Sequence, residues 1–177
     1  AAVRLNRHIP AKTIDEALEK LLDRRQSMSL IAANQEIYSL LKDGIPVVYD
    51  DAKGQKQDDR VRLIDVNSPN ENHYLAVTQL WVKGDRGFRR PDVLLYINGL
   101  PLIFIELKNS NVKLRTAFDH NLTSYKRDIP QLFLTNAFCV LSNAIETKVG
   151  SITAEWEHFF NWLRVDDEKE KIDREAI

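Results

Sequence analysis

Residues 90–108 read RPDVLLYINGLPLIFIELK, and this stretch carries the strongest structural signal in the chain. Two apolar runs, Val93–Ile97 and Leu102–Leu107, flank a segment that contains asparagine, glycine and proline. Runs of β-branched and aromatic residues bounded by turn formers are typical of strands, so the stretch predicts a β-hairpin. The same breaks exclude a membrane span through this most apolar region.

Charged residues at the end of the hairpin are its unusual feature. Glu106 and Lys108 lie two apart in a strand, so their side chains point to the same face. A two-residue loop at 98–99 would direct Asp92 and Glu106 to opposite faces of the hairpin. A three-residue loop at 98–100, or an equivalent bulge, would set Asp92 directly across from Glu106. We expect that loop or an equivalent bulge.

The grouping of these charges indicates a chemistry. Two adjacent carboxylates repel unless a cation lies between them, and their hard oxygens suit Mg²⁺ or Mn²⁺. Lys108 could hold a water beside such a cation and favour the loss of its proton. The pattern therefore indicates hydrolysis of a phosphodiester. The alternative is an ordinary surface salt bridge of Asp92 or Glu106 with Lys108, which spacing alone does not exclude.

The motif resembles that of a known family. Pro91-Asp92 followed by Glu106-Leu107-Lys108 is the PD-(D/E)xK nuclease motif, and residues 89–111, RRPDVLLYINGLPLIFIELKNSN, resemble the N-terminal nuclease region of the restriction (motor) subunit of type I restriction-modification enzymes. The resemblance extends through DGIPVVY, RVRLIDVNSPNENHYLAVTQLWV, YKRDIPQLFLTNAFCVLSNA and VGSITAEWEHFFNW. It covers the chain from about Asn34 to Trp162.

The resemblance implies roles for particular residues. Asp92 and Glu106 would bind the divalent metal, the backbone carbonyl of Leu107 would be a further ligand, and Lys108 would serve catalysis. Family members often carry a Gln-x-x-x-Tyr element on the helix after the lysine strand. Here Tyr125 matches, but Asn121 stands where the glutamine is usual. The two lie at i and i+4 and share a helix face that could meet the site or DNA, or Tyr125 is a packing residue.

A basic cluster precedes the aspartate. Arg89 and Arg90, with two further cations at 83 and 86, could hold DNA phosphates near the metal. A solvated loop explains the same residues equally well.

The remaining elements follow from periodicity. Thr13–Glu16 is a capping box that predicts a helix to about Arg25, and a second helix from about Ser29 to Asp43 is closed by glycine. Residues 45–107 predict a mainly antiparallel sheet, with strands at 45–49, 60–66, 73–82, 93–97 and 102–107. A helix at 114–128 stopped by proline, a strand at 137–141 and a closing helix with an aromatic face at 156–163 complete the pattern.

Composition limits the class of protein. The chain has 177 residues, 44% hydrophobic and 29% charged, with a net charge of −1, which is typical of a globular protein. This balance argues against a non-specific nucleic-acid binder or a polybasic membrane binder. The one cysteine, Cys139, lies in an apolar run typical of an inert buried thiol and favours a reducing compartment.

These observations combine into one interpretation. The resemblance implies an α/β, restriction-endonuclease-like fold whose mixed central sheet is flanked by helices, with residues 1–165 as the endonuclease domain and 166–177 as a charged linker toward helicase-like motor domains. It implies a cytoplasmic bacterial or archaeal enzyme, a type I site-specific deoxyribonuclease. The enzyme would act on double-stranded DNA and would use Mg²⁺ or Mn²⁺. Its protein partners would be specificity and modification subunits, and it would not bind a membrane. ATP would act only through the motor domains, because this chain has no phosphate-binding loop motif. The alternative is a non-catalytic docking domain that couples the motor to its complex.

Overall fold

The computed structural model of the chain describes residues 2–23, 25 and 27–162. The chain divides into two compact units, one of Ala1–Leu75 with Tyr96–Leu100 and the other of Ala76–Leu95 with Pro101–Ile177. The predicted linker at 166–177 lies outside the described residues. None of the helices in the described part of the chain is long and apolar enough to cross a membrane.

The first unit begins with three helices and a hairpin. They are α1 Ala2–Leu5, α2 Ala11–Leu22, α3 Leu30–Asp43, β1 Ile45–Asp50 and β2 Lys56–Val61, the last two paired antiparallel.

The two long helices test the predicted helix ends. The predicted capping box is wrong, because α2 already begins at Ala11 after Pro10 and no side chain caps it. A proline there fixes φ near the helical value, so it can precede the helix without a polar cap. The prediction for α3 is confirmed: Ser29 Oγ accepts a hydrogen bond from the amide of Ala32 at 3.2 Å, and Gly44, with φ 79°, follows the last turn.

Six strands form one mixed sheet in the order β10-β9-β8-β7-β6-β3. Their bounds are β3 Tyr74–Thr78, β6 Val93–Ile97, β7 Leu100–Leu107, β8 Phe138–Ser142, β9 Thr147–Gly150 and β10 Phe160–Asn161. Strands β7 and β8 are parallel, while β8 with β9 and β9 with β10 are antiparallel. A separate antiparallel hairpin is formed by β4 Val82–Gly84 and β5 Gly87–Arg89. The α/β class and the mixed sheet are therefore confirmed.

The turn between β6 and β7 differs from the prediction. Strand β6 ends at Ile97 and β7 begins at Leu100, and Asn98 and Gly99 have φ of 53° and 88°. Positive φ at both central residues is typical of the two-residue type I′ turn that an Asn-Gly pair favours. The expected three-residue loop is thus wrong. Asp92 lies in a bend before β6 and is not part of that strand.

A continuous helical stretch follows β7 in the second unit, as predicted. It consists of α4 Leu114–Thr116, a π-helical segment at Ala117–Leu122 and α5 Thr123–Asp128, and it ends before Pro130. Short 3₁₀ turns occupy Pro69–Glu71, Pro130–Phe133 and Trp156–His158. The π segment is notable because such insertions are rare and frequent at functional sites.

The predicted closing helix is wrong. Its residues form the 3₁₀ turn at Trp156–His158 followed by β10, where Phe160 pairs with Val149 of the neighbouring strand. The strand pairing supplies the backbone hydrogen bonds that a helix would otherwise provide. Leu163, the last residue of the predicted apolar face, lies outside the described residues. The expected packing of aromatic rings is nevertheless present, because Trp156 and Phe159 lie edge-on to Phe118 with centroid distances of 5.9 and 5.4 Å.

Candidate active site

Glu106 lies on the buried face of β7. Leu102, Phe104 and Glu106 alternate along the strand and are all buried, as the two-residue period predicts. The Phe104 ring packs edge-on against Tyr125 at a centroid distance of 5.5 Å and is tilted against Phe133 at 5.4 Å. On the same face, the Glu106 side chain is only 2% exposed. A carboxylate therefore continues an apolar face into the protein interior.

The environment of Glu106 disfavours its charge. Burial raises the pKa of the Glu106 carboxyl, and the nearby negative charge of Asp92 raises it further. Lys108 opposes both effects, because its Nζ donates to Glu106 Oε1 at 2.6 Å. Among the described residues, Glu106 Oε2 is the one buried side-chain oxygen or nitrogen atom without a hydrogen-bond partner. Such an atom costs about 1–3 kcal/mol of folding free energy unless a ligand uses it.

Lys108 follows directly after β7. Its amide donates to the carbonyl of Ser142 at 2.8 Å, next to the parallel pair of Leu107 and Ser142. This contact continues the strand geometry by one residue, so Lys108 and Glu106 share a face as predicted. The Lys108 side chain is 20% exposed, and it therefore connects the buried carboxylate with solvent.

Asp92 reaches the same end of β7 through its side chain. Its Oδ2 accepts a hydrogen bond from the amide of Leu107 at 2.8 Å, and its carbonyl accepts one from Gln79 at 2.9 Å. The Asp92 side chain thus reaches the end of β7 that carries Glu106, although the predicted loop is absent. Asp92 approaches β7 from the bend before β6, whereas the prediction placed it opposite Glu106 by cross-strand pairing.

Tyr125 and Asn121 also contribute to the site. The Tyr125 hydroxyl donates to the backbone carbonyl of Arg90 at 3.3 Å, and the Asn121 side chain hydrogen-bonds to the same hydroxyl. Burial raises the pKa of Tyr125, and the charge of Glu106 adds to the effect, which places the hydroxyl close to the carboxylates. Asn121 lies within the π segment. The packing interpretation of Tyr125 is confirmed by its contact with Phe104, and a role of its hydroxyl in the site or in DNA contact stays a prediction.

The two arginines of the basic cluster have different environments. Arg89 Nε donates to Asp128 Oδ2 at 2.8 Å, and its Nη2 contacts the same oxygen. Arg90 is exposed and lies over the Trp81 ring, with its guanidinium 5.4 Å from the ring centroid. A role in DNA contact stays a prediction for both residues. The Arg89 guanidinium is already engaged by a carboxylate.

Sequence reasoning missed Asp128. The residue is 2% exposed, and hydrogen bonds from Arg127 and Arg89 lower the pKa of its carboxyl to about 2. It ends α5 and holds Arg89, three residues before Asp92 in the chain. An acidic residue beside a basic one at a helix end is a common surface pattern, so the sequence offered no signal for this ion pair.

The chemistry of the site fits a divalent cation. The charge of Asp92 acts on the Glu106 carboxyl, which carries an unpartnered buried oxygen, and Leu107, whose amide binds Asp92, is 48% exposed. No group of three or more histidine, cysteine, aspartate or glutamate side chains that could hold a metal occurs in residues 2–23, 25 and 27–162. A cation at this site would depend on two carboxylates, a backbone carbonyl and water, which is the ligand set that Mg²⁺ accepts.

Comparisons with known proteins show the family of the chain. The family model described as "Type I restriction enzyme R protein N terminus" matches residues 1–158. The type I restriction enzyme HindI endonuclease subunit of Haemophilus influenzae is 34% identical over 98% of this chain and 16% of its own length. A Methanocaldococcus jannaschii protein with the provisional name type I restriction enzyme MjaIXP endonuclease subunit is 37% identical over 77% of this chain and 14% of its own. The chain thus spans about one-sixth or less of the length of these curated relatives. With nearly all of its described residues matched, the chain belongs to the family of type I restriction enzyme R protein N termini.

Proposed function

We propose that this chain is the DNA-cleaving domain of a type I restriction enzyme and that it hydrolyses phosphodiesters of double-stranded DNA in the manner of PD-(D/E)xK nucleases. The observation that carries the proposal is the buried Glu106 carboxylate, which has one unpartnered oxygen and lies beside Asp92 and Lys108. Membership of the restriction-subunit family supports it, because the relatives are named as endonuclease subunits.

Asp92 and Glu106 would hold a divalent cation, Mg²⁺ or Mn²⁺, together with the Leu107 carbonyl. When bound, the cation would supply Lewis-acid polarisation of a phosphoryl oxygen and neutralise the charge that develops there. The amide of Leu107 fixes the orientation of the Asp92 carboxylate through their 2.8 Å hydrogen bond. Glu106 must be ionised to act as a ligand, so the raised pKa of its carboxyl makes the site sensitive to acid.

Lys108 is the residue suited to the attacking water. Its ammonium is held at 2.6 Å from Glu106 Oε1 and retains access to solvent, so it can orient a water and favour the loss of its proton. The water oxygen forms a bond to phosphorus, the bond from phosphorus to one ester oxygen breaks, and that oxygen takes up a proton. The products are a phosphate monoester and a hydroxyl end, so atoms and charges balance.

The wider assembly is part of the same proposal. Specificity and modification subunits would select the DNA site and methylate it, and ATP would act in motor domains outside this chain. The net charge of −1 fits a domain that depends on such partners for much of its affinity for DNA. A cytoplasmic location in a bacterial or archaeal cell follows from this role.

The proposal is tested by separating DNA cleavage from ATP hydrolysis in the complete enzyme. Asp92→Ala and Lys108→Ala should each abolish cleavage while ATP hydrolysis and translocation continue. Asp92→Ala should also lose affinity for Mn²⁺ in calorimetry, whereas Lys108→Ala should retain it, because removal of a nearby positive charge favours a cation. Asp15→Ala, an exposed acidic residue of α2, is the control and should cut normally.

The opposite result would favour the docking alternative. If Asp92→Ala and Lys108→Ala both cut DNA at the rate of the unchanged enzyme, these residues do not form the nuclease site. For a non-catalytic docking domain, substitutions on its surface would instead prevent assembly of the complex.

A further inference from the structure

The β4–β5 hairpin has two distinct faces. Its register pairs Val82 with Arg89 and Lys83 with Phe88, so alternate residues point to opposite sides. On the inner face, Arg89 forms its ion pair with the buried Asp128. The inner face is therefore fixed to the end of α5.

Two further contacts hold the hairpin in place. Gln131 Nε2 donates to the carbonyl of Lys83 at 2.7 Å. A Cβ atom added at Gly84 would overlap the backbone oxygen of Asp128, which shows how closely the two backbones approach. A hairpin that is anchored in this way presents its outer face in a defined orientation.

The outer face combines aromatic rings with cations. Lys83 and Phe88 are cross-strand neighbours, and Trp81 and Arg90 lie directly before β4 and directly after β5. The guanidinium of Arg90 lies 5.4 Å from the centroid of the Trp81 ring. Trp81 is 63% exposed and Phe88 is 57% exposed. We call this set of four residues the outer hairpin face.

The charge of the hairpin is locally positive. Residues 80–90 contain the cations Lys83, Arg86, Arg89 and Arg90 and one acidic residue, whereas the whole chain has a net charge of −1. The charge of Arg89 is neutralised by Asp128. In the described part of the chain, no carboxylate forms an ion pair with the other three cations. Their charge is therefore available to an anionic partner.

We propose that the outer hairpin face binds the DNA beside the phosphodiester that the site cleaves. This inference rests on the proposed function and extends it from the reacting residues to the surface that holds the substrate. Nucleic acid offers phosphates to Lys83 and Arg90 and flat sugar and base surfaces to Trp81 and Phe88.

The position of this face in the chain supports the same partner. Arg90 is two residues before Asp92, and its carbonyl accepts the hydrogen bond of the Tyr125 hydroxyl. A strand held by Arg90 would therefore be held at the edge of the candidate active site. An acidic protein surface could satisfy the cations, but it would leave two exposed aromatic rings without a flat partner.

The test is a binding titration in which cleavage plays no part. Fluorescence anisotropy of a labelled DNA duplex is followed with the 177-residue chain at low salt in EDTA. Trp81→Ala and Phe88→Ala should each weaken binding about fivefold or more, as expected for loss of an aromatic contact to nucleic acid. Lys83→Gln and Arg90→Gln should each lower the slope of log affinity against log salt by about one.

Matched controls are available elsewhere in the chain. Tyr38→Ala removes an aromatic ring that is 58% exposed on α3, and Lys53→Gln removes an exposed cation; both should bind as the unchanged chain does. Thermal unfolding of every variant checks that the fold is intact.

The outcomes separate this inference from the proposed function. It is overturned if the unchanged chain does not bind DNA at low salt, or if the hairpin variants bind as tightly as the controls. Variants that keep DNA affinity but fail to assemble with the other subunits would assign the face to a protein partner and also overturn it. The proposed function stands or falls separately, on whether Asp92→Ala still cuts DNA in the complete enzyme.

Discussion

Glu106→Gln is expected to stabilise the fold while it removes the proposed activity. The Glu106 carboxylate is 2% exposed, has one unpartnered oxygen and lies beside the charge of Asp92. A glutamine of nearly the same shape has no net charge. Its amide oxygen can still accept a hydrogen bond from Lys108, and no buried negative charge remains beside that of Asp92.

The size of the effect follows from the burial of the charge. Burying an ionised carboxylate costs several kcal/mol, of which a single charged partner offsets only part. We expect glutamine to recover about 2 kcal/mol near neutral pH, which is about 4–8 °C in Tm for a chain of this size. Lys108 loses a charged partner, but its 20% exposure lets water replace part of that contact.

The pH dependence of stability predicts independently that the glutamine variant is the more stable one near neutral pH. The folded-state pKa of Glu106 is raised above the unfolded value of about 4.5, so the protonated carboxyl favours the fold. This contribution is fully present below pH of about 4.5 and is lost as pH rises through the raised pKa. The two proteins should therefore unfold at similar temperatures in acid and diverge toward neutral pH, with the glutamine variant more stable.

Thermal unfolding by circular dichroism in EDTA, between pH 4 and 8, measures the difference directly. Added Mn²⁺ should raise the Tm of the unchanged chain and should leave that of the Glu106→Gln variant where it is. At a hundredfold excess over Kd, the gain in the free energy of unfolding is about 2.7 kcal/mol. Glu157→Gln, at an exposed position, should shift neither curve. A glutamine variant that is less stable than the unchanged chain at pH 7 would refute the reasoning.

Three further predictions concern Lys108 and the contacts that hold the β4–β5 hairpin. Lys108→Met should destabilise the chain by about 3 kcal/mol in urea unfolding, because it leaves Glu106 buried without a cation, and a value near zero would contradict the pairing. In Asp128→Asn, part of the loss of stability between pH of about 4 and 2 should disappear, because the folded pKa of the Asp128 carboxyl, about 2, lies below its unfolded value of about 3.8. Acid unfolding monitored by fluorescence measures this loss. An acid profile equal to that of the unchanged chain would count against the ion pair of Asp128 with Arg89. Gly84→Ala should destabilise by about 3 kcal/mol or more, because the added Cβ overlaps backbone that cannot move aside, and calorimetry that finds a normal Tm would show that the hairpin is not so closely packed.

The turn shows where local chemistry should have decided the prediction. Asn98-Gly99 is the strongest short signal for a two-residue turn, and both residues adopt the positive φ that this turn requires. The three-residue loop is the alternative that sets Asp92 across from Glu106. The structure meets that functional requirement in another way, since the Asp92 side chain reaches the amide of Leu107 from outside the strand.

Non-local pairing explains the other differences. Trp156, Phe159 and Phe160 have a spacing that fits a helix, but their backbone is committed to a 3₁₀ turn and to pairing with β9. Strand β2, which reads KQDDRV, has no apolar run, and the sequence therefore predicts a strand at 60–66 instead. The observed position of β2 at 56–61 is determined by its pairing with β1. In both cases the structure depends on pairing with a strand that lies outside the short stretch of sequence used for the prediction.

The candidate site was predictable to the extent that it depends on the period of one strand. Glu106 and Lys108 share a face because they are two residues apart, and the sequence states this directly. The anchoring of the segment before Asp92 depends on contacts across 35 to 39 residues, from Tyr125 to Arg90 and from Asp128 to Arg89. No spacing rule connects those pairs, so only the structure reveals them.

The conflict between stability and charge at position 106 is itself an argument for function. Leucine or glutamine would continue the buried face of Leu102 and Phe104 at a lower cost in folding free energy than a carboxylate with an unpartnered oxygen. The fold opposes this cost with one ammonium, that of Lys108, and places a second carboxylate where it increases the cost. In the proposed function a divalent cation would reverse the balance, because the same two negative charges would then be its ligands and would no longer repel each other uncompensated. The site would therefore be least favourable in the absence of a cation and most favourable with one, as the proposal of a metal-dependent nuclease centre requires.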